Sequence, residues 1–263
     1  MQFRKPAAKF QGVSLAIDAV LHRASAFELA PSWFRLPQVC FDDLPYGRAR
    51  LLRGRSSTMS DDSLWLVQVG CAALADIAFA CALGALILNA WLSAEQPFAP
   101  VSPARLGWRR AQRAGAAAAT VLLLCNFASL WLQSAAVSGS PVMEAGGSLW
   151  LVATGTHAGI GWSVGLAGSM LLLLAAASGG AMSAGRSGFA MLAVLIVAAG
   201  KSTVGHAADA GAFSIAEVVQ ALHLLATGAW GGIVIAGALV LPALDTSVAR
   251  AALIRVVASM SRA

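Results

Sequence analysis

From residue 64 onward the chain is a succession of long apolar runs broken by short polar joints. The runs cover about 64–92, 114–137, 148–177, 188–208 and 214–243. A bilayer core of about 30 Å is crossed by about 20 helical residues, so each run predicts a spanning α-helix. The joints EQPFAPVSPARLG, VSGSPVMEAGG, ASGGAMSAGRSG and HAADAGAFS carry the Pro, Gly and Ser of turns. A membrane β-barrel would instead alternate polar and apolar residues in stretches of about ten. The expected fold class is all-α: a polytopic transmembrane helical bundle with about five spanning helices, preceded by an irregular basic segment.

Residues 1–58 are that segment. They mix Pro, Arg and aromatics, as in APSWFRLPQ and YGRARLLRGR, without a sustained helix or strand period. GVSLAIDAVL is interrupted by Asp18 and lacks a small-residue cleavage pattern beyond it, so no signal peptide is read there. The segment is either a basic extension or sequence upstream of the true start. The second reading is preferred, because MSDDSLWLVQVG, from Met59, opens as a membrane-protein N-terminus does. The expected organisation is 1–58 as extension and 59–263 as membrane domain.

Composition agrees with the pattern. Hydrophobic residues make up 58% and charged residues 11% of the 263, with mean hydropathy +0.73; soluble domains carry about a quarter charged residues. The net charge of +6 is concentrated at the start: residues 1–60 hold nine Lys/Arg against four Asp/Glu, the remainder nine against eight. The folded part has no basic stripe, so nucleic acid is not an expected partner. Cys40, Cys71, Cys81 and Cys125 form no CxxC pair and read as small apolar residues. No Walker, GxSxG, HExxH or post-strand GxGxxG motif occurs, which argues against a hydrolase or an ATP-driven pump.

Arginine placement predicts orientation. The first joint carries Arg105, Arg109, Arg110 and Arg113, the third Arg186, and the tail Arg250, Arg255 and Arg262. The second and fourth joints carry no Lys or Arg. By the positive-inside rule Met59 lies outside and the chain end inside. Glycines recur along the third predicted helix (Gly155 to Gly168) and the fifth (Gly228 to Gly237), which predicts that both helices pack tightly within the bundle.

Ionisable groups within a bilayer cost a few kcal/mol or more each, which makes them functional candidates. Here they are Asp76, His157, Lys201, His206, Glu217 and His223. In the predicted orientation His157 and His223 each lie nine residues below the outer boundary, about 13 Å at 1.5 Å per residue. His206 ends the fourth helix, with Asp209 three residues beyond. Imidazoles at one depth on adjacent helices could bind copper, with Met143 and Met170 as thioether auxiliaries. They could equally serve as axial ligands of a b-type haem, or relay protons through Glu217, His223 and His206. Packing readings stand beside these. His223 has Thr227 at i+4 and Gln220 at i−3, Asp76 reads as an interhelical hydrogen-bonding group, and Lys201 would neutralise an acid or snorkel. Trp162 and Trp230 read as packing groups.

Two motifs narrow the choice. VGHAADAG (204–211) followed by ALHLLATGAWGG (221–232) resembles the CopD copper-resistance family of bacterial inner-membrane proteins, whose members show a GHAA turn and then an HLL…W-GG helix. The looser match covers roughly residues 60–263, with THAGIGW (156–162) less distinctive. The resemblance implies copper transport across the cytoplasmic membrane and copper resistance, often alongside a periplasmic copper-binding partner, CopC. It carries over His206 and His223 by motif. His157 joins them as a candidate ligand, with Asp76, Met143, Asp209, Glu217 and Trp230 as auxiliaries. Family members usually have about eight spanning helices, whereas this sequence stops at IRVVASMSRA, so an incomplete domain is expected. The family's first helix often holds a histidine, and Asp76 occupies that region here. The alternatives are a b-type haem protein using His157 and His223, and a scaffold that recruits a periplasmic copper carrier without moving the ion.

Overall fold

The computed structural model describes residues 61–95, 97, 102–178, 183–204 and 214–262. The N-terminal extension, the GHAA turn with His206, and Asp209 lie outside the described residues. Among those described, the elements are helical: α1 (Asp61–Ser93), α2 (Arg105–Ser138), α3 (Leu149–Gly155), α4 (His157–Ala177), α5 (Ala184–Ser202), α6 (Ile215–Val240) and α7 (Arg250–Met260). Two 3-10 segments, Val142–Ser148 and Leu241–Ala243, punctuate them. Four stretches are long and apolar enough to cross a membrane: Ser63–Ser93, Arg105–Ser138, His157–Ala177 and Ile215–Ala243. The 19-residue α5, with Arg186 and Lys201 near its ends, packs beside them as the fifth helix of the bundle.

Hydropathy misplaces helix ends where polar residues continue a helix. α2 starts nine residues before its apolar run because Arg105, Arg109, Arg110 and Arg113 are good helix formers on an exposed surface. It stops at Gly139, whose φ of 63° is a left-handed conformation that glycine adopts without strain. The third predicted helix is not continuous. It breaks at Thr156, whose extended backbone (φ −121°, ψ 145°) ends α3 and begins α4. The Thr156 hydroxyl donates to the Val152 carbonyl at 2.8 Å and accepts from the Gly159 N–H at 2.9 Å. One side chain thus caps both helix ends at the break.

The two glycine-rich helices do pack tightly, each against its own neighbours. α4 packs against α5 and α2, whereas α6 packs against α1. A Cβ on Gly168 would lie 2.8 Å from the Val197 nitrogen, and one on Gly200 would lie 2.5 Å from the Gly165 nitrogen. At the α1–α6 crossing, a Cβ on Gly232 would sit 1.9 Å from the Ala80 carbonyl oxygen, and one on Gly84 1.9 Å from that of Gly232. Small residues do allow backbones to touch, as in other membrane helices. Their spacing names no partner, however, and here each glycine-rich helix meets a different neighbour.

Two apolar clusters fill the bundle. Phe79, Leu122, Leu172 and Val197 belong to one; Leu88, Leu92, Leu244 and Val256 belong to the other. Fully buried Asn126 ties α2 to α4, its amide donating to Ser169 Oγ at 2.8 Å and to the Gly165 carbonyl at 3.3 Å. Beyond the spans, Arg255 Nε donates to Glu95 Oε1 at 2.7 Å, fastening α7 to the end of α1.

Candidate functional site

The break at Thr156 makes His157 the first residue of α4. A second helix start lies beside it. Ser214 caps α6 by accepting the Glu217 N–H at 3.2 Å, the local geometry expected of an S-x-x-E sequence. Glu217 is therefore on the first turn of α6, where backbone N–H groups favour negative charge. The two starts meet, with His157 Nε2 2.9 Å from Glu217 Oε1. The carboxylate is sheltered at 6% side-chain exposure while the imidazole stays 38% exposed. Glu217 thus orients a ring that remains open to a ligand.

This pair lines a cleft of about 480 Å³ between α4, α5 and α6, within the range of ligand sites. Its apolar wall includes Ile160, Val164, Ala199 and Val218; its other polar groups include Ser202 and Thr203. Glycine brings two of the cleft's walls together. A Cβ on Gly161 would lie 2.1 Å from Thr203 Oγ1, so α5 approaches α4 only because that atom is missing. A further charge pair joins α5 to α1: Lys201 Nζ is 2.9 Å from Asp76 Oδ1, with the lysine shielded and the aspartate 59% exposed.

The candidate residues divide accordingly. His157 and Glu217 are brought together. Asp76 makes the interhelical polar contact expected of it, and Lys201 neutralises an acid. His223 does not face His157. It is exposed, and its six-residue offset from Glu217 places it about 120° around α6. Thr227 donates to the His223 backbone carbonyl at 2.7 Å. Met143 is exposed on the 3-10 segment, Met170 is exposed on α4, and Trp230 is 74% exposed instead of packed in the bundle. Among the described residues no group of three or more His, Cys, Asp and Glu side chains is arranged to hold a metal ion.

Sequence reasoning missed Ser202 and Thr203 in the cleft lining, and Thr156 at the helix break beside it, because it weighed ionisable, thioether and indole side chains but no hydroxyl as part of a site. The available signals were the pairing of Thr156 with Gly159 at capping distance, and the KST turn that ends α5. Residues 59–215, 157 of the 263, match the family described as "Copper resistance protein D-like, N-terminal domain". Comparison with curated proteins and with solved structures gave no match. With a membrane-type helical bundle in place and three-fifths of its length matched, the chain belongs to the copper resistance protein D-like family.

Proposed function

We propose that this membrane protein moves copper ions across the bacterial cytoplasmic membrane, receiving them in the cleft between α4, α5 and α6 with His157 as a ligand. The 2.9 Å His157–Glu217 pair on that cleft carries the reading, together with the copper-resistance family to which the chain belongs. A metal-binding histidine commonly gives its other ring N–H to a carboxylate, which fixes the tautomer. Glu217 does this for Nε2 and leaves Nδ1 as the donor for copper. A single preformed imidazole suits a cargo that must also leave. His206 enters the proposal through its motif, and His223 through motif and depth. Asp76 offsets the ammonium of Lys201, so α5 does not present an uncompensated positive charge to an approaching cation. The positive-inside pattern supports a cleft that opens to the periplasmic side, where a CopC-like carrier would deliver the ion.

Copper flux into proteoliposomes tests the proposal. His157→Ala should abolish saturable uptake, and Glu217→Gln should weaken copper binding about 10–100-fold, the range for lost carboxylate support. Uptake by His157→Ala equal to that of the unsubstituted protein refutes the assignment. Capture of a copper-loaded carrier without flux would favour a scaffold, and a Soret band in purified protein would favour haem. The structure gives haem no support from the expected pair, since His157 engages Glu217 and His223 points elsewhere.

A further inference from the structure

The break between α3 and α4 needs a cause, because the run 148–177 is apolar enough to continue as one helix. In an unbroken helix the Gly159 N–H would donate to the Gly155 carbonyl, four residues back. Here it donates to Thr156 Oγ1 at 2.9 Å instead. The same hydroxyl donates to the Val152 carbonyl at 2.8 Å. A threonine side chain thus takes the place of a helix carbonyl, the local competition that Ser and Thr offer to a helical backbone. Glycine at 159 is the second requirement. A Cβ there would lie 1.9 Å from the Val152 oxygen and 2.6 Å from Thr156 Oγ1, so no larger residue leaves room for the end of α3.

The consequence falls on the next residue. A helical side chain leans toward the N-terminus and lies on the turn before it, over the residues three and four back. In an unbroken helix the His157 ring would lie on Ala153 and Thr154. As the first residue of α4 it has no such turn beneath it, and it reaches Glu217 on α6 at 2.9 Å while staying 38% exposed. We infer that Thr156 is a positioning residue: with Gly159 it holds the helix broken, so that the His157 imidazole projects into the cleft. The inference rests on the reading of the cleft as a copper site for what the ring does, though not for where the ring points.

The test uses the full chain in lipid vesicles and has a metal-free arm. Diethyl pyrocarbonate acylates open imidazoles, and mass spectrometry of the peptide holding His157 reads the extent. Thr156→Val removes the hydroxyl and keeps the branched shape, and should slow that reaction several-fold. Thr156→Ser keeps a hydroxyl and should react at the rate of the unsubstituted protein. Gly159→Ala strikes the same break from its other side and should also slow the reaction, which keeps the test decisive if Thr156→Val fails to insert. Copper binding should weaken about 10-fold in Thr156→Val and be retained in Thr156→Ser, in line with the loss of support to a metal ligand. An unchanged reaction rate in Thr156→Val or Gly159→Ala overturns the inference, and so does Thr156→Ser reacting as slowly as Thr156→Val. Slowed reaction with unchanged copper binding would leave Thr156 its role and refute the copper site instead.

Discussion

The Asp76–Lys201 pair offers a measurable link between sequence and bundle stability. Asp76 lies thirteen residues into Ser63–Ser93, about 20 Å along the helix axis, and reaches Lys201 on a helix far away in sequence. At 2.9 Å and an effective dielectric constant of about 20, Coulomb attraction is about 6 kcal/mol. Desolvation of the shielded ammonium offsets much of this, and the open side of the carboxylate screens more, leaving a coupling of about 2 kcal/mol. Asp76→Asn should therefore shift the unfolding equilibrium of the bilayer-embedded protein about 30-fold toward the unfolded form. Lys201→Met alone removes the ammonium and should cost less, because it leaves only the more open partner. In the double variant the two losses should add up to less than their sum by about 2 kcal/mol, the signature of direct coupling. Reversible unfolding in bicelles, followed by far-UV circular dichroism, reads all four proteins. Strict additivity, or an Asp76→Asn protein as stable as the parent, refutes the reasoning.

Two further perturbations probe other parts of the frame. Gly232→Val should force α6 off α1, because even a first Cβ would lie 1.9 Å from the Ala80 oxygen; a cost of about 3 kcal/mol is expected. Gly231→Ala, with nothing within 4 Å of its added carbon, should be neutral or slightly stabilising in the same bicelle assay. At the bundle end, hydrogen bonding from Arg255 holds the Glu95 carboxyl below its ordinary value of 4.5. A depressed carboxyl stabilises the fold above its unfolded value and loses that contribution as pH falls through the folded value. Attachment of α7 should thus weaken below about pH 4.5, seen as faster proteolysis after Arg255, and Glu95→Gln should remove that acid step.

The spans were legible because the bilayer imposes a length and an apolar composition on each of them. What hydropathy could not supply was anything decided by hydrogen bonding or by fit. The run 148–177 reads as one helix, since Thr156 is no more polar than other residues that helices tolerate. Only its two bonds, to Val152 and Gly159, show it ending one helix and starting the next. The glycines announced close approach but not to what, because a missing Cβ is complementary to any nearby backbone. Asn126 escaped a search for ionisable groups although it is fully buried and links two helices.

The same distinction governs the site. Depth along a helix can be counted in residues, and counting put His157 and His223 level with each other. Facing is an angle, fixed by which neighbour each helix packs against. Once α6 packs on α1 through Gly228 and Gly232, the helix turns Glu217 toward His157 and carries His223 outward. The two histidines that sequence placed together thus face different ways: His157 lines a cleft within the chain, and His223 lies exposed on α6.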